Sequence, residues 1–161
     1  MIPAIVSLCV LAAYIAATSV MCKGVPSSVS STFYQLKSGW IFTIVLWIVV
    51  FTLLPTWLEV GNPHFQFLVF LSCAGLAFVA AAPNFKDIDH NVHVGATAVC
   101  AMSAMAWVLC HVPMLIALWF GWVMYIAVQM RGGKTFIECK PLFWAEVTAF
   151  AITYSAIFIV G

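Results

Sequence analysis

The sequence predicts an all-α, polytopic integral membrane protein, a bundle of six transmembrane helices forming a single domain over residues 1–161. Three observations carry that expectation. The chain is 65% apolar and only 7% charged, with a mean hydropathy of +1.13, too few polar residues to coat a water-facing globule. Six continuous apolar runs approach the roughly 20 residues needed to cross a bilayer. All six basic residues fall in alternate connecting segments: Lys23 and Lys37 in the first, Lys86 in the third, and Arg131, Lys134 and Lys140 in the fifth.

Because Lys and Arg are retained on the cytoplasmic face, this alternation places loops one, three and five in the cytoplasm and both chain termini on the opposite side. The membrane is a plasma (inner) membrane or an internal one. Continuous rather than alternating hydropathy selects helices over a barrel, since each helix satisfies its own backbone hydrogen bonds in lipid. A net charge of +1 predicts no nucleic-acid surface. The basic residues are expected to meet anionic lipid headgroups.

The expected spans are about 2–22, 40–58, 65–82, 92–110, 113–130 and 141–160. The first is kept as a helix rather than a signal peptide, because no basic residue precedes it and no small-x-small cleavage pattern precedes Lys23. Close backbone approach favours small residues inside a membrane bundle. Ala12, Ala13, Ala16 and Ala17 of the first span, Cys73, Ala77 and Ala81 of the third, Ala96, Cys100 and Ala104 of the fourth, and Ala145, Ala149, Ala151 and Ala156 of the sixth therefore mark interior helices. The second span (Phe42, Leu46, Trp47, Val50, Phe51, Leu54) and the fifth (Leu115, Trp119, Phe120, Trp122, Tyr125) are bulky all round and are expected to face lipid most. Each half thus reads small, bulky, small, the order an inverted repeat would give.

His111-Val112-Pro113 is too short a connection to let the fourth and fifth spans separate, so a tight hairpin is expected there. Pro113 and Pro141 stand at first-turn positions, where a missing N–H costs nothing. Trp40, Trp57, Trp107 and Trp144 near span ends suit the headgroup boundary. The six cysteines include no Cys-x-x-Cys pair and read as packing residues. Cys139, in the basic fifth loop, is the one placed to be a reactive thiol.

Only one ionisable side chain stands firmly inside a span, Glu146. An acid at that depth must be protonated, paired or exposed to a wet cavity, and each option marks a working part of the protein. Helical spacing aligns it with Ala149, Thr153 and Ala156, a small, weakly polar stripe expected to face the interior. The alternative is an acid close enough to the headgroups to reach water or to pair with Lys140 or Arg131. Its candidate partner across the bundle is His93, which opens the fourth span.

The third loop runs into that span through Asp87, Asp89, His90 and His93, oxygen and nitrogen donors suited to a divalent metal. With Glu146 added, the set would suit a metal-dependent intramembrane lipid hydrolase. The competing reading has Asp87 or Asp89 capping the helix and the histidines lying at the interface. His64 and His111 are not expected to bind haem. Loop one is hydroxyl-rich, and Ser27, Ser28, Ser30 and Lys37 suit a lipid headgroup.

The leading expectation is a protein that binds or organises membrane lipid through a pocket near His93, Glu146 and loop one. The alternatives are the hydrolase, a small transporter or channel using Glu146, and a structural subunit of a homo-oligomer or larger membrane assembly.

Two stretches carry a family resemblance. The proline-led, serine-containing loop Val25-Pro26-Ser27-Ser28-Val29-Ser30 and the helix start His93-Val94-Gly95-Ala96 after Asn84-Phe85 resemble the six-helix membrane proteins grouping FRAG, DRAM and Sfk-like proteins with CWH-type amino-terminal regions. The resemblance implies a six-helix bundle associated with lipid organisation or remodelling, with no established cofactor. The Asp87-Ile88-Asp89-His90 cluster has no counterpart in that pattern.

Overall fold

A computed structural model describes residues 1–36, 38–82 and 90–161, with His90 placed by its backbone alone. Its helices are α1 (Ile2–Met21), α2 (Thr32–Gln35), α3 (Trp40–Glu59), α4 (Gln66–Ala81), α5 (His90–His111), α6 (Leu118–Arg131) and α7 (Pro141–Val160). Short 3-10 segments, Pro63–Phe65 and Pro113–Ala117, lead into α4 and α6. All but α2 belong to six apolar segments of 19 to 21 residues, about 30 Å long at 1.5 Å per residue, the thickness of a bilayer's hydrocarbon core. The chain is a six-helix, multi-pass membrane protein.

The bundle is a chain of neighbours. α1 lies on α3, α3 on α4, α4 on α5 and α5 on α7, while α6 lies outside, against α7. The α4–α5 contact is the most extensive, and one glycine permits it. A Cβ on Gly75 would stand 2.7 Å from the Cys100 backbone nitrogen and 2.8 Å from the Ala96 carbonyl oxygen. Beside it the Ser72 hydroxyl donates to the Cys100 carbonyl at 3.1 Å, a bond between helices of the kind that lipid, lacking competing donors, favours.

Deeper ties link α1, α3 and α7. The Ser7 hydroxyl donates to the Val49 carbonyl at 3.0 Å. Its one proton is thereby used, so the 2.6 Å contact with Tyr154 has the phenol donating to Ser7. At the end opposite loop one, His111 Nε2 accepts the Asn62 N–H at 2.9 Å. The ring is therefore protonated at Nδ1, which donates to the Trp107 carbonyl at 2.8 Å. Both nitrogens of His111 are occupied within the protein, and its ring stacks on Trp107 at 4.2 Å. His64 is exposed, its backbone N–H capped by the Asn62 side chain.

Three packing expectations need correction. α3 is a core helix: Phe42, Leu46, Val49, Val50, Leu53, Thr56 and Trp57 are buried, and 39% of its apolar window is enclosed, against 6% for the α6 segment. Bulk does not send a helix outward, because large side chains pack as well on neighbours as on lipid. On α1 the alanines at 12, 13, 16 and 17 are exposed, while Ala4, Ser7, Leu11, Tyr14 and Thr18 form the buried face. The two halves are accordingly not equivalent.

The third correction concerns the hairpin. α5 meets the Pro113–Ala117 turn closely but not the body of α6. Near the start of α6, Trp119 links the two, its indole N–H reaching the Met105 sulfur at 3.5 Å. α6 instead ties to α7, where Trp122 Nε1 donates to the Pro141 carbonyl at 3.0 Å.

Candidate functional site

Loop one folds back over one end of the bundle, organised by its own hydroxyls. The Ser28 N–H donates to Ser31 Oγ at 3.1 Å, and the Ser31 N–H returns a bond to Ser28 Oγ at 3.0 Å. This reciprocal turn leads into the single helical turn of α2. Thr32 is fully buried. Its hydroxyl donates to the Val29 carbonyl at 2.6 Å, so the Tyr14 phenol must be the donor in its contact with Thr32. α1 thereby anchors the loop.

That anchoring presents Val29, itself buried, to α7. The Val29 N–H donates to Glu146 Oε2, so a connecting loop and a spanning helix meet through an amide and a carboxylate. Among the described residues no cationic side chain pairs with Glu146, so Lys140 and Arg131, the partners of the alternative reading, do not fill that role.

Glu146 stands at one end of a cavity of about 240 Å³ enclosed by loop one, α3, α4, α5, the start of α6, and α7. From Leu142 to Tyr154 its lining on α7 runs about 18 Å at 1.5 Å per residue. The walls are chiefly apolar: Phe42, Leu46 and Leu53 from α3, Leu76 and Val79 from α4, Ala101 and Ala104 from α5, with Trp57 and Trp119 toward the far end. Leu142 lines the cavity yet is 66% exposed, so the chamber reaches the outer surface of the bundle one turn from Glu146.

Polar groups on the wall are few and mostly occupied. Ser72 donates to Cys100, Thr97 to the His93 carbonyl at 2.9 Å, Thr153 to the Ala149 carbonyl at 2.8 Å, and Tyr154 to Ser7. Ser30 shares a 3.2 Å contact with Ser28. Glu146 uses Oε2 on the Val29 amide, and among the described residues Oε1 has no protein hydrogen bond. The chamber is a long apolar gallery with one strong acceptor at its loop-one end.

The residues singled out from sequence distribute unevenly around it. Glu146 and Ser30 line the chamber together. The stripe on α7 turns inward, with Ala149 and Thr153 on the wall and Ala156 fully buried. His93 is partly buried in the first turns of α5, but the wall begins one turn later, at Thr97. Ser28 uses its hydroxyl to build the turn, and Ser27 is exposed. Lys37, Asp87, Asp89 and the His90 side chain lie outside the described residues. Among the described residues no three metal-binding side chains converge.

The sequence pointed to a pocket near His93, Glu146 and loop one, but it did not reveal the Val29 amide or the extent of the apolar gallery along α3, α4 and α5. A main-chain donor leaves no trace in residue type. The chamber did leave one, in the hydroxyls of Ser72, Thr97 and Thr153 on otherwise apolar helices.

The last loop is ordered separately. Cys139 is buried, its thiol donating to the Thr135 carbonyl at 3.2 Å, so it is no exposed reactive thiol. The Thr135 backbone N–H and hydroxyl, both donating to the carboxylate at 2.7 Å, hold Glu138 below the usual carboxylate range, with Lys134 adding to the effect. A carboxyl depressed on folding stabilises the loop above its unfolded pKa and loses that contribution as pH falls through the folded value. Acidification should therefore release the Thr135 amide. Its NMR chemical shift is expected to titrate with an acid midpoint below that of a free glutamate, and Glu138→Gln should abolish the titration.

No family model, curated protein or solved structure matches the chain.

Proposed function

We propose that this protein binds a membrane amphiphile, a lipid whose tail occupies the chamber and whose polar end lies against Glu146, Ser30 and loop one. The observation that carries the reading is the pairing of a long apolar cavity with one unspent carboxylate oxygen at its end. Binding sites for small molecules commonly combine an apolar lining with a few placed polar groups. The opening beside Leu142 gives the tail a route from the surrounding lipid without crossing the bundle. The stretches resembling FRAG, DRAM and Sfk-like proteins include the Ser27–Ser30 turn that caps the chamber, and support the same association with lipid.

In this reading loops one, three and five face the cytoplasm, as the placement of the lysines and arginine favours. Glu146 then lies toward the inner leaflet.

The test is occupancy. The protein is purified from membranes in mild detergent and the lipid it retains is quantified by mass spectrometry. Ala149→Phe places a ring in the chamber, and a bound species present in the wild type should fall at least fivefold. Ala145→Leu, a smaller obstruction nearer Glu146, should reduce it less. A lipid complement that neither substitution changes would overturn the reading.

A further inference from the structure

The chamber ends in a carboxylate with no countercharge among the described residues. Oε2 takes the Val29 amide, and Ser72, Thr97, Thr153 and Tyr154 direct their hydroxyl protons to protein acceptors. An ionised acid this deep is costly unless paired. A ligand seated in the gallery would bring its polar end to Oε1. A phosphate or carboxylate there would face like charge, with only the Ser28–Ser30 hydroxyl pair to donate to it; an ammonium would supply both the missing charge and N–H donors.

We infer that the chamber selects long-chain amines, amphiphiles with a single apolar tail and a cationic, hydrogen-donating head that docks on Glu146 Oε1. This rests on the proposed function and deepens it by naming the head. The tail follows from the walls. The gallery is bounded by Leu46, Leu53, Leu76 and Ala104, and a volume of about 240 Å³ is too small for two chains side by side. The opening at Leu142 lies beside the acid, so the tail enters first and the head stays near the mouth, where it reaches Glu146 without being carried through the apolar section.

Two of the wall residues are reporters. Trp57 and Trp119 line the chamber, so a brominated tail inside it quenches their fluorescence. The experiment uses the full-length protein in detergent micelles at pH 8, titrated with three bromine-labelled C16 probes of equal length: a primary amine, an alcohol and a fatty acid. The amine is expected to bind at least tenfold more tightly than the fatty acid, with the alcohol between them. Glu146→Gln, which keeps an acceptor for the Val29 amide, should reduce the amine-to-acid ratio to about one while preserving tail-dependent quenching.

Equal affinity for the three heads in the wild type, with Ala149→Phe reducing all of them, would overturn the headgroup assignment and leave the chamber as a tail site. Preference for the fatty acid would also overturn it. No quenching insensitive to empty micelles but sensitive to Ala149→Phe, for any probe, would remove the proposed function itself. The wild-type ranking stands without any variant, so a Glu146→Gln protein that fails to fold leaves the test intact. Amine recovered from lipid extracts of the purified protein would identify the source as the membrane; binding only of added probe would identify it as a foreign cationic amphiphile, and in both cases the head chemistry is supported.

Discussion

Gly75→Leu should lower the stability of the purified protein by about 3 kcal/mol, the upper part of the range for overpacking a filled interior, and should abolish the lipid retention that the proposed function expects. The magnitude follows from what the new side chain would meet. Its Cβ alone would lie 2.7 Å from the Cys100 nitrogen, 2.8 Å from the Ala96 oxygen and 2.9 Å from the Cys100 Cβ. Two of these are backbone atoms of a helix and cannot swing aside. α5 would have to withdraw along the most extensive helix contact in the bundle, breaking the Ser72–Cys100 bond. Cys73, Leu76 and Val79 on one side of that seam and Thr97, Cys100 and Ala104 on the other all line the chamber, so its shape would be lost with the seam. Gly75→Ala should act in the same direction with smaller size. Gly121→Leu is the control, because nothing lies within 4 Å of a Cβ there. Thermal unfolding in one detergent, with retained lipid measured in parallel, reads all three. An unchanged midpoint for Gly75→Leu would mean that α4 and α5 do not pack as described.

The same seam shows what the sequence could and could not reveal. Span number and length were legible because bilayer thickness imposes them on any helix, and Pro141 starts α7 where a first-turn proline belongs. Inward faces were harder to read. In a soluble helix, polar residues mark the outside; here both sides of each helix are apolar, and the periodic contrast that assigns a face is nearly absent. Residue size was a poor substitute: it sent α3 outward and the alanines of α1 inward, and the structure reverses both. The better signal was weak polarity. Ser7, Thr18, Thr56, Ser72, Ser103 and Thr153 are all buried, and Ser7 and Ser72 bond neighbouring helices, partners that lipid cannot supply. Ser7 alone would have turned α1 correctly. Glu146 was conspicuous as an isolated acid, whereas its partner, the Val29 amide, depended on a loop fold stabilised by Tyr14 and Thr32, eighteen residues apart in sequence.

Trp107→Ala should cost about 3 kcal/mol, and Trp107→Phe far less. The tryptophan is fully buried, meets Trp57 edge to face at 5.5 Å and stacks on His111 at 4.2 Å. In water, truncating such a side chain loses both its transfer free energy and the contacts around the cavity left behind, about 3–5 kcal/mol together. In a bilayer the unfolded reference is already in hydrocarbon, so the transfer part shrinks and the packing part remains; the lower end of the range applies. Hydrogen bonding contributes little to the difference, because among the described residues the Trp107 indole nitrogen has no acceptor. Phenylalanine keeps a six-membered ring in the stack but loses three ring atoms, the unpaired N–H among them, and leaves a cavity much smaller than alanine does, so its cost should stay at about 1–1.5 kcal/mol. The alanine variant should also loosen His111, whose Nδ1 bonds the carbonyl of residue 107 while its ring rests on the indole, and with it the Asn62 amide that His111 holds between α3 and α4. Reversible unfolding of the three proteins in mixed micelles separates the possibilities. A phenylalanine variant as damaged as the alanine one would show that the full bicyclic indole, and not a stacked six-membered ring, is what this end of the bundle requires.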